Sequence, residues 1–68
     1  ICTTTQEALD LISAQSAEDE ITLNYPVAGE LNEDILLDLA MNYFAKGLSY
    51  YPETVFGDSH YKLTIITP

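Results

Sequence analysis

Cys2 is the only cysteine and His60 the only histidine in 68 residues, and this scarcity constrains the fold more than any other feature. One cysteine excludes an internal disulfide. The pair is too small a set for a structural zinc site, which wants four ligands. A domain of this size buries only ~60% of the surface its unfolded chain exposes, so small domains usually need a staple. Two means of support remain: a well-made apolar core, or a second chain. The hydrophobic fraction, 47%, is ordinary for a globular domain and argues against disorder.

The apolar periodicity divides the chain into helices and strands. Thr4 followed by Glu7 has the spacing of a capping box, and Ala8, Leu9, Leu11 and Ile12 then share one side of a helix. The polar run from Gln15 to Glu20 ends that pattern as a solvated turn. Ile21, Leu23 and Tyr25 alternate with polar residues and form one face of a strand. Pro26 is expected to stop it, because proline donates nothing to a ladder. Asn32 predicts a second helix cap, with Glu33 and Asp34 in the first turn where the helix dipole favours them. Leu31 is placed to pack on Leu36 as a hydrophobic staple. The run from Ile35 to Lys46 is expected to stop at Gly47. Leu36, Leu39, Ala40, Tyr43 and Phe44 make its apolar stripe, widened by Leu37, Met41 and Ile35. Asp34, Asp38, Asn42 and Lys46 form the narrow polar face.

The segment Leu48 to Tyr51 is β-prone, and Pro52 is expected to break it before a short piece at Thr54–Phe56. Gly57, Asp58 and Ser59 are turn residues. His60 to Thr67 is a strand, with Tyr61, Leu63 and Ile65 on one face. The fold expected is α+β: residues 1–68 as a single small acidic domain, with two helices packed on one face of a two- or three-stranded β-sheet. The last strand is expected beside the first. A parallel pairing is open because the intervening helix has the length of a crossover.

Charge sets the sign of any partner. Eleven acidic residues face two lysines, Lys46 and Lys62, with no arginine, for a net charge of −9. Such a chain is repelled by nucleic-acid backbones and anionic membranes, and it attracts basic protein surfaces. It lacks the guanidinium forks that clamp phosphates. No apolar run reaches the roughly 18 residues of a membrane span. No segment reads as a signal peptide, and a lone cysteine fits a reducing, cytoplasmic setting. The first residue is isoleucine, which predicts that some N-terminal sequence has been removed.

Few residues carry chemistry. Asp58, Ser59 and His60 supply the residue types of a hydrolase triad, but three consecutive residues rarely meet at triad geometry, and turn chemistry accounts for them. His60 and Cys2 match no metal spacing. Glu18, Asp19 and Glu20 lack the glycine of a calcium loop and read as a solvated run. Asp34 and Asp38, one helical turn apart, form an acidic row that also suits nucleic-acid mimicry when joined by Glu30 or Glu33. Tyr43 and Tyr61 are expected in the core, whereas Tyr50 and Tyr51, before Pro52, are placed for contact with a partner.

These features predict a non-enzymatic domain without a cofactor or metal. It is expected to dock on a basic protein surface, as an inhibitor, antidote or accessory subunit, through Asp34, Asp38, Tyr50 and Tyr51. The alternative is a self-assembling dimerisation or structural domain whose interface is the helix around Leu37 and Met41.

Overall fold

A computed structural model describes residues 1–67. The element order is α1 (Thr5–Ala14), β1 (Glu20–Pro26), α2 (Glu33–Phe44), β2 (Ser49–Phe56) and β3 (His60–Ile66). The architecture is α+β: two helices and one three-stranded antiparallel sheet in the order β1-β3-β2.

Local chemistry starts both helices. The Glu7 N–H donates to Thr4 Oγ1 at 3.2 Å. Glu7 Oε1 in return accepts from Thr3 Oγ1 at 2.6 Å and from the Thr3 N–H at 3.2 Å. The carboxylate thus reaches one residue further back than a simple capping box. These bonds from Thr3 hold the Glu7 carboxyl below its ordinary range. In α2 the Ile35 N–H donates to Asn32 Oδ1 at 3.0 Å.

The end of α2 differs from expectation. Ala45, not Gly47, takes the left-handed conformation, at φ 57° and ψ 38°, so Lys46 lies beyond the helix. The turn falls early because Phe44 before it and Leu48 after it both pack against the core. The helix is also rotated from the expected stripe. Leu36, Leu37 and Ala40 are buried, Leu39 is half-buried, and Tyr43 is exposed. Leu37 therefore belongs to the protein's own core, and the expected interface around Leu37 and Met41 retains only Met41 at the surface.

The core joins Cys2, Ala8 and Ile12 to Ile21, Leu23 and Tyr25 of β1. Leu31, Leu36, Leu37 and Ala40 come from α2 and its approach, and Leu63 and Ile65 from β3. Tyr25, not Tyr43, is the fully buried tyrosine, and its ring lies 5.7 Å from that of the half-buried Tyr61. Both helices cover the face that carries Ile21, Leu23 and Tyr25, as the strict alternation of burial along β1 requires.

β1 and β3 are neighbours, as expected, but antiparallel, with Leu23 opposite Leu63 and Tyr25 opposite Tyr61. β2 and β3 form a hairpin whose three-residue turn opens with Gly57 at φ 70°, a conformation that favours glycine. The parallel relation falls instead between β1 and β2, which α2 connects and β3 separates. β3 thus occupies the middle of a split β-α-β unit.

Candidate partner-binding strand

β2 is one continuous strand through Pro52, where the sequence suggested a break. The reason is a bulge. Tyr51 pairs with Thr64 and Thr54 with Lys62, so Pro52 and Glu53 together oppose Leu63. A proline at a bulge on an edge strand removes no ladder bond.

β2 contributes no residue to the core. Its side chains are exposed on both faces, with Glu53 alone half-buried. Tyr50 (43% exposed), Tyr51 (59%), Val55 (62%) and Phe56 (55%) are half of the large apolar residues that reach the surface. The pairing divides them. Tyr50 and Val55 oppose Ile65 and Tyr61 and so share the helix-covered face, beyond the reach of the helices. Tyr51 and Phe56 lie on the outer face with Thr64 and His60.

The two edges of the sheet are finished differently. On β1, Gln15 accepts from the Thr22 N–H and donates to the Thr22 carbonyl, both at 3.1 Å. The Cys2 N–H donates to the Asn24 carbonyl at 2.9 Å. Thr22 and Asn24 therefore turn their main-chain groups away from β3, and Pro26, two further along, turns the same way. Its missing N–H takes nothing from the ladder, which lets β1 extend to Pro26. The same alternation carried across β3 turns the main-chain groups of Tyr50 and Val55 outward from β2. Those groups have no hydrogen-bond partner among the described residues.

One side chain ties β2 to the core. The Tyr25 hydroxyl donates a hydrogen bond to Glu53 Oε2. Burial, and then the Glu53 carboxylate, push the Tyr25 phenol far above the ordinary tyrosine range. Glu53 Oε1 has no partner among the described residues.

Of the residues selected from the sequence, Tyr50 and Tyr51 are exposed on β2 as expected, but on opposite faces of the sheet. Asp34 and Asp38 are exposed on α2, a different element. Glu53, Val55 and Phe56 were missed. Val55 and Phe56 carried a β-strand signal without a location, and Glu53 carried none. Burial raises the pKa of the Cys2 thiol, which donates weakly to the Asn24 carbonyl at 3.4 Å.

Ser59 Oγ and His60 Nδ1 lie 3.1 Å apart, the serine donating when Nδ1 is unprotonated. Ser59 and His60 meet here, but on the exposed hairpin turn and without a carboxylate bonded to the imidazole among the described residues. A groove of about 230 Å³ lies elsewhere, lined by Ile1, Glu7, Asp10 and Leu11. Among the described residues no three histidine, cysteine or carboxylate side chains are grouped to hold a metal, and no helix is long and apolar enough to cross a membrane. No family model, curated protein or solved structure matches the chain.

Proposed function

We propose that this protein is a protein-binding domain for a basic partner, acting as an inhibitor, antidote or accessory subunit, with β2 as its contact element. The observation that carries this reading is a full-length strand with no share in the core. Four large apolar side chains and an open main-chain edge on β2 face solvent. Exposed aromatic side chains beside an unpaired strand edge are favoured contact elements of protein interfaces. The net charge of −9 selects a positive partner and supports fast, steered association. The exposed Asp34 and Asp38 on α2 add to that field without belonging to the strand.

The test separates attraction from anchoring. A partner is captured from the native source and its kinetics are measured with purified proteins. Replacing Asp34 and Asp38 with asparagine is expected to lower the association rate. Raising salt from ~50 to ~300 mM shortens the screening length from about 14 to about 6 Å and slows association in parallel. Tyr50→Ala and Tyr51→Ala are expected instead to raise the dissociation rate, with stability changed by less than about 0.5 kcal/mol. Binding indifferent to salt, to the aspartates and to the tyrosines would overturn the reading. Capture of nothing but further copies of the chain would favour a dimerisation domain.

A further inference from the structure

The bond between Tyr25 and Glu53, the unpartnered outer edge of β2 and the split of its apolar residues over two faces converge on one mode of binding. We propose that β2 receives an extended segment of a basic protein as a fourth strand, with a lysine or arginine of that segment seated on Glu53. This rests on the protein-binding reading above and adds its geometry.

Main-chain geometry is the first support. Tyr50 and Val55 turn N–H and carbonyl groups outward without partners, while the equivalent groups of Thr22 on β1 are both taken by Gln15. An added strand satisfies such groups whatever its side chains, and its alternate side chains supply specificity. The division of the apolar surface is the second. A partner laid flat on one face would meet either Tyr50 and Val55 or Tyr51 and Phe56. A strand beside β2 projects side chains toward both pairs at once.

Glu53 supplies the third support and selects the occupant. It is the only charged residue of β2, and its Oε2 is fixed by the hydroxyl of the fully buried Tyr25. Oε1 is left to accept from a second donor. A carboxylate already held in place loses less freedom on pairing than a mobile one. The apolar stem of a lysine or arginine would lie along the exposed side chains of Tyr50 or Val55 on the same face. Lys62 does not compete for Glu53, because it stands opposite Thr54 on the outer face. A second copy of this chain is disfavoured as the occupant. Antiparallel pairing centred on the bulge would set Glu53 against Glu53 and join two bodies that each carry −9.

The probe is a capped heptapeptide of alternating lysine and valine, compared with the same peptide N-methylated at every internal amide. Binding to the full chain is followed by titration and by amide exchange. The unmethylated peptide is expected to slow exchange at the Tyr50 and Val55 amides by about tenfold or more and to leave Thr22 unchanged. Methylation is expected to weaken binding by at least about tenfold, and Glu53→Gln by about three- to tenfold. Glutamine still offers the Tyr25 hydroxyl an acceptor, so this variant tests charge and not folding.

Equal binding of the methylated peptide, with the same salt dependence, would overturn strand addition while leaving the reading of a basic partner intact. Wild-type affinity in Glu53→Gln would overturn the seat on Glu53. Protection at Tyr50 and Val55 that rises with protein concentration alone would replace the basic segment by a second copy. Failure of both peptides and of any basic protein to bind at ~50 mM salt would overturn this inference and the protein-binding reading together.

Discussion

β1 and β2 flank the same central strand, and each runs antiparallel to it, but only β1 is built into the protein. β1 turns Ile21, Leu23 and Tyr25 into the core, and Gln15 meets the outward N–H and carbonyl of Thr22 while the Cys2 N–H meets the carbonyl of Asn24. β2 turns nothing into the core and leaves its outer groups open. It is held by its ladder to β3 and by the Tyr25–Glu53 bond. Natural sheets blunt exposed edges because an open edge recruits other chains. Here β1 has its outward groups at Thr22 and the Asn24 carbonyl taken by other parts of the chain, whereas β2 is blunted only by a bulge, a proline and a single charge and keeps the outward groups of Tyr50 and Val55 open. The difference is the ground on which the proposed fourth strand rests.

The largest expected effect contrasts the interiors of the two regions. Leu63→Ala, in the core beneath the helices, is expected to cost about 2–5 kcal/mol. Val55→Ala, two strands from β1 and exposed, is expected to cost less than about 0.5 kcal/mol. Denaturant midpoints at unchanged slope measure both. Similar costs at the two sites would mean that β2 is integral to the core and would break the comparison.

A smaller effect tests the one link between the regions. Tyr25→Phe removes the bond to Glu53 and is expected to cost about 1.5 kcal/mol near neutral pH. Because the folded state raises the Tyr25 pKa, it holds that proton more tightly than the unfolded chain. The resulting stability is fully present below about pH 10, the unfolded tyrosine range, and is lost as pH rises above it. Wild type is therefore expected to lose stability in alkali more steeply than Tyr25→Phe, the other tyrosines being common to both. Parallel pH profiles would show that the buried phenol does not carry the link.

The smallest effect concerns the closed edge. Gln15→Ala is expected to cost about 1 kcal/mol and to speed exchange at the Thr22 amide by tenfold or more. If the Thr22 amide stays protected without the Gln15 side chain, β1 is closed by something other than that glutamine, and the contrast between the edges weakens.

Much of the fold was legible. Thr4 with Glu7 and Asn32 with Ile35 act within one helical turn, so the helix starts could be read from adjacent residues. Ile21–Tyr25 and Tyr61–Ile65 declare their buried faces by strict alternation. The candidate site was legible only in part. Tyr50 and Tyr51 stood out as exposed aromatics, but Pro52 concealed the continuity of β2, because a bulge is defined by the partner strand and not by the bulged one. Glu53 had no signal, since its partner lies 28 residues away. Tyr43 looked like core but is exposed because α2 is rotated toward Leu37, a rotation set by what the helix packs on.

The amino-acid sequence by itself determined the helix starts, the buried faces of β1 and β3, the lack of a disulfide within these residues and the sign of the charge. Each follows from periodicity, capping or composition, which act over a few residues or over the sum of all of them. Tertiary structure alone decided that β3 lies between β1 and β2, that Gln15 closes one edge, and that Glu53 meets Tyr25 near the other. Those outcomes depend on contacts between segments far apart in the chain. Which edge of a sheet stays open follows from the order of its strands, and no local pattern encodes that order.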